Sequence, residues 1–226
     1  MTTTSSNLGT SLVDSISSDN IKELSIDVAE TTLDVFLNEG LLKEIPFFGL
    51  FYKGYKSVLG IREAIFCKKI LTFLKELDSI PKEQKEKFIE ALQNEKNTKQ
   101  KVGEKIIVLL EQLDDIEKAK LIGTSFRHYI NGEISHNVFA KLSFIVQKAF
   151  LPDLLLFKTG KYYSTSLLQE QFASLGLMSM KLKDNKHEKF LREYTLGEKA
   201  GLDKVPPVVN YEINETGRLF IKYCFD

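Results

Sequence analysis

The chain has 226 residues, 43% hydrophobic and 27% charged, a composition that supports a buried core and excludes wholesale disorder. Lys plus Arg (31) equals Asp plus Glu (31), so the formal net charge is zero and the strong basic field common in nucleic-acid-binding domains is missing. Cys67 and Cys224 lie far apart and outside any CxxC or Cys/His cluster, which argues against a disulfide framework or zinc site and for a reducing cytosol.

Residues 1–20, MTTTSSNLGTSLVDSISSDN, have no basic stretch leading into an apolar run, so they are not a signal peptide; rich in Ser and Thr, they read as a flexible tail. Asp19 or Asn20 can cap a first helix that carries Leu24, Val28, Thr31, Val35 and Leu42 at helical spacing and stops before Pro46. From 47 to 77 the chain is apolar on nearly every side, as a helix at the centre of a bundle would be, and lysines interrupt it often enough to exclude a conventional membrane span. Ser79 and Pro81 open a helix running to about residue 94. Three more amphipathic helices are predicted over 99–113, 115–129 and 135–150. Together these make an all-helical bundle.

After Pro152 the pattern changes. A helix over 164–174 ends in Leu175-Gly176-Leu177, a polar stretch covers 181–189, residues 208–213 alternate like a short strand, and Asn214 caps a last helix. The predicted organisation is a flexible tail (1–20), a helical bundle (21–158) and a small α+β domain (159–226), mainly α overall.

Two familiar motifs fail at named positions. Gly49-x-x-x-x-Gly54-Tyr55-Lys56-Ser57 imitates a phosphate-binding loop, but Tyr55 stands where the lysine must follow glycine directly. The turn around Asn131-Gly132 imitates a calcium loop, but Arg127 and Val138 fall where oxygen ligands are needed. His128, His136 and His187 lack a second ligand at metal spacing, and neither cysteine has a nucleophile motif. No catalytic residue, metal site, cofactor or small-molecule substrate is assigned.

The least ordinary segment is 45–66, IPFFGLFYKGYKSVLGIREAIF. Its glycines weaken a helix by about 1 kcal/mol each while its aromatics give it a large apolar area. Phe47, Phe48, Phe51, Tyr52 and Tyr55 are the candidate contact residues, for a protein partner or a membrane surface with lysines snorkelling. The competing reading is a buried helix whose glycines allow close packing.

Two resemblances add to this. The C-terminal ending, with Tyr211, Ile213, Asn214, Gly217 and Phe220, resembles the last wing strand and following helix of winged-helix domains. The helix in the recognition position, SLLQEQFASLG, has no Lys or Arg, so the resemblance implies protein contacts more readily than base reading. The run from VAETTLDVFLNEG through KVGEKIIVLLEQLDD to YINGEI resembles a family of bacterial proteins found among prophage and phage-defence genes, and supplies no catalytic residues. The expectation is a non-enzymatic interaction or effector protein, cytoplasmic or peripheral at the membrane, acting through a protein partner or self-association. The alternatives are a DNA-binding regulator using the C-terminal domain and an enzyme with a dispersed site.

Overall fold

The computed structural model describes residues 2–18, 21, 32–33, 42–54, 60–93, 98–161, 166–183 and 208–226. Among these the elements follow in the order α1 (Thr2–Ile16), α2 (Pro46–Gly54), α3 (Ile61–Glu76), α4 (Lys82–Gln93), α5 (Thr98–Glu111), α6 (Ile116–Ile130), α7 (His136–Lys148), α8 (Leu151–Lys158), α9 (Ser166–Ser174), β1 (Met178–Lys183), β2 (Val208–Ile213) and α10 (Glu215–Phe225). They form two compact units, Met1–Leu151 with Tyr223–Asp226, and Pro152–Lys222. No helix among the described residues is long and apolar enough to cross a membrane.

The first unit is a helical bundle in which α1 packs along α5, α3 along α6, and α7 against α6. The expected flexible tail is therefore corrected: residues 2–16 form a helix of the core. Leu12, Val13 and Ile16 share one helical face and are buried to 1% exposure or less. The Ser and Thr residues around them dilute the apolar pattern, and the burial comes from a backbone crossing. Gly9 of α1 meets Gly103 of α5 so closely that a Cβ on Gly103 would lie 1.9 Å from the Gly9 carbonyl oxygen. Only hydrogen at both positions permits that approach.

The remaining bundle helices follow the sequence signals. Asp115 caps α6 by accepting the Glu117 N–H at 2.8 Å, and Ser135 Oγ accepts the Val138 N–H at the start of α7. Between those helices Gly132 takes φ 76°, the left-handed conformation that turns the chain. The apolar run expected over 47–77 forms two helices, α2 and α3, with residues 55–59 between them outside the described set. Most of the helix expected over 19–42 also lies outside it. The C-terminal residues close on α6: Tyr223 sits edge-on to His128 with ring centroids 4.9 Å apart, and Arg127 Nη2 donates to the Asp226 carbonyl at 2.8 Å.

In the second unit α8, with Pro152 tolerated in its first turn, buries Leu154 and Phe157. Phe157 packs on Phe172 of α9 at 4.8 Å and on Phe220 of α10 at 6.3 Å. The change of unit thus falls at Leu151–Pro152 rather than near Thr159. β1, a strand that was not expected, runs through Met178–Met180 into the first three residues of the expected polar stretch and pairs antiparallel with β2 from Met178↔Ile213 to Lys183↔Val208. Asn214 anchors the following helix: its Oδ1 accepts the Gly217 N–H and its Nδ2 donates to the Gly176 carbonyl, both at 3.0 Å.

Candidate functional site

The segment singled out in the sequence does not present its aromatics. α2 buries Phe47 and Phe48 completely, and Phe51 and Tyr52 are only 6% and 4% exposed. Phe47 stacks on Phe51 at 5.7 Å and meets Phe48 edge-on at 5.4 Å, while Phe66 of α3 closes the cluster at 5.8 Å from Phe51. The Phe47 N–H donates to Ser15 Oγ at 2.9 Å, tying this helix to α1. These four residues are core, and a surface role for them would require α2 to leave the bundle. Tyr55 lies outside the described residues. Gly49 and Gly54 of the phosphate-loop look-alike fall within α2, a helix and not a loop.

A second polar feature is structural. Lys69 of α3 donates its ammonium to the Leu113 carbonyl, and at 3.5 Å to that of Glu111, capping the C-terminal end of α5. Burial lowers the pKa of Lys69. Nearby, the fully buried Lys118 reaches Asp114 at 2.6 Å, and this contact holds the Asp114 carboxyl below its ordinary range. Both cations meet carbonyls or a carboxylate of their own bundle. Among the described residues no three His, Cys, Asp or Glu side chains gather closely enough to hold a metal ion. Burial pushes the Cys67 thiol up to about 12 and raises that of Cys224 as well.

What the bundle does expose is an apolar groove of about 370 Å³ between α5 and α7. Its floor is aromatic: Tyr129 of α6 stacks on Phe139 of α7 at 5.8 Å, and Phe126 meets Phe139 at 5.1 Å. One wall is Val102, Ile106 and Leu109 of α5, and the other is Ala140, Ser143 and Phe144 of α7. At the lip Val108 is 49% and Phe144 55% exposed, which is unusual for large apolar side chains lining one recess. Gln147 Nε2 donates to Gln112 Oε1 at 2.5 Å and closes one end. Ser143 is buried, and its Oγ has no hydrogen-bond partner among the described residues.

The groove residues were missed in the sequence because α5 and α7 each carry two apolar faces. Val102, Ile106, Leu109 and Leu110 form one stripe of α5 that runs on to Leu113 beyond its end, and Val108 lies about 100° from the edge of that stripe, past Lys105 and Gln112. Phe144 similarly sits between the core residues Leu142 and Ile145. Large apolar residues outside the packed stripe, Val108 on α5 and Phe144 on α7, were the available signal.

The chain matches no protein-family model, no curated protein and no solved structure. Its own geometry is the basis for a functional reading.

Proposed function

We propose that this chain is a non-enzymatic interaction protein, serving bacterial phage defence or a mobile element in the cytoplasm, and that it acts by binding another protein through the α5–α7 groove. The observation that carries this reading is the groove itself, an open apolar recess with an aromatic floor and exposed apolar lips. Val108 and Phe144 are about half exposed, so a partner that covered them would gain about half of the roughly 1.5–3 kcal/mol that full burial of each side chain is worth. The sequence resemblance to proteins of prophage and defence genes supplies the setting.

The second unit fits a winged-helix-like module used for protein contacts. The reading is supported by the strand over 208–213 and the Asn214-capped helix after it, to which an antiparallel partner strand is added, and by an α9 that holds neither Lys nor Arg. One face of its ribbon exposes Met180, Leu182 and Val209.

Photocrosslinking in living bacteria tests the central claim. A benzophenone amino acid replacing Val108 or Phe144 should give a discrete adduct of higher mass, whereas the same probe at exposed Glu90 of α4 should not. Identical patterns at the three positions, or no adduct at either groove position, would remove the groove from the function.

A further inference from the structure

The groove has a sign as well as a shape. Its lining includes Lys105 and no carboxylate. α7 contains Lys141 and Lys148 and not a single Asp or Glu. Both carboxylates of α5 point elsewhere. Glu104 accepts from Gln100 and lies against Gly9 of α1, and Glu111 lines a separate recess with Arg62 and Phe51. Lys101, one turn before Lys105, and Lys148, one turn beyond Phe144, are exposed and extend the positive sign along both walls. In a chain of zero net charge this is a local concentration of cations beside apolar surface.

The shape selects the kind of ligand. From Val102 to Gln112 the α5 wall rises roughly 15 Å, about three helical turns, and the recess stays open along its top. A helix laid along it would place apolar side chains at i, i+3 or i+4 and i+7 onto Phe139 and Tyr129. Residues flanking that stripe would then face the lysines.

Resting on the protein-binding reading above, we propose that the groove's occupant is an amphipathic helix of a partner protein in which Asp and Glu flank the apolar stripe. Charge complementarity of this type speeds encounter and rejects basic helices of equal hydrophobicity.

The test is selection of a displayed random 16-residue peptide library on the full-length protein, with Phe144→Glu as the counter-target. Phe144 is more than half exposed, so this variant retains its fold, and circular dichroism verifies that. Peptides retained only by wild type should carry large apolar residues at three- and four-residue spacing and more acidic than basic residues. By fluorescence anisotropy, Lys105→Glu should weaken the best of them on the order of tenfold, and a peptide with its acids changed to Lys should bind Lys105→Glu better than wild type. Groove-dependent peptides of neutral or basic composition would overturn the acidic partner and leave the protein-binding groove standing. No groove-dependent peptide, or retention of the protein by phosphatidylglycerol vesicles or duplex DNA in place of peptide, would overturn this proposal, and photocrosslinking then decides the broader one separately.

Discussion

Gly103→Ala sets two ordinary effects against each other, and the structure decides which is larger. In an isolated helix the change should help by about 1 kcal/mol. Here the new Cβ would lie 1.9 Å from the Gly9 carbonyl oxygen and 2.8 Å from its Cα, and both are backbone atoms that cannot rotate away. α1 and α5 must part by roughly 1–1.5 Å, and a gap of about 1 Å already forfeits about half of each dispersion contact across the interface. Overpacking of this kind costs about 1–3 kcal/mol, and the burial of Leu12, Val13 and Ile16 depends on the same interface. The expected net change is a loss of about 1–2 kcal/mol, equal to a fall in Tm of about 2–8 °C for a chain of this size. Thermal and urea unfolding followed by circular dichroism measures it, with Lys101→Ala, exposed on the same helix, as the control expected within about 0.5 kcal/mol of wild type. If Gly103→Ala equals or exceeds wild type in stability, α1 does not cross α5 as described.

Four further outcomes are expected. Asp114→Ala, which strands the buried Lys118 ammonium, should destabilise the protein by about 2 kcal/mol in urea titrations, whereas Lys118→Met should be nearly neutral. Because the Asp114 carboxyl titrates lower folded than unfolded, its contribution is complete above the unfolded value of 3.8 and is lost as pH falls through the folded one; a pH series of melts should show that acid-side loss shrink in Asp114→Asn. With both thiols buried, a chromogenic disulfide reagent at pH 8 should react with neither Cys67 nor Cys224 in the native protein and with both in denaturant. Phe47→Ala should cost about 3–5 kcal/mol by calorimetry, as expected of a core aromatic and not of a surface contact residue.

Much of the bundle was legible in the sequence because caps and periodicity agreed. Asp115 and Ser135 mark the starts of α6 and α7, and Asn214 marks α10. α1 was hidden because its stability is tertiary: no propensity scale rewards GTSLVDSI, and the crossing at Gly103 together with its packing on α2 makes it a core element. β1 was hidden because Met178, Met180 and Leu182 alternate with Ser179 and Lys181 over so short a span that a polar loop reads the same. The aromatics of α2 were visible as unusual, but a greasy helix looks alike whether it faces the core or a partner; burial by α1 and α3 separates the cases. The groove was the least legible feature, since it is defined by what fails to pack between α5 and α7.

The return of Tyr223–Asp226 to the first unit has a consequence for how the chain is made. Synthesis delivers residues 1–151 first, yet the surface of α6 around Arg127 and His128 is not covered until the final turn of α10 has been translated. Joining those ends across the intervening residues adds a loop-closure cost that grows only slowly with length, so evolution could lengthen or exchange the second unit at little thermodynamic expense. A fragment ending at Leu151 would lack that cover.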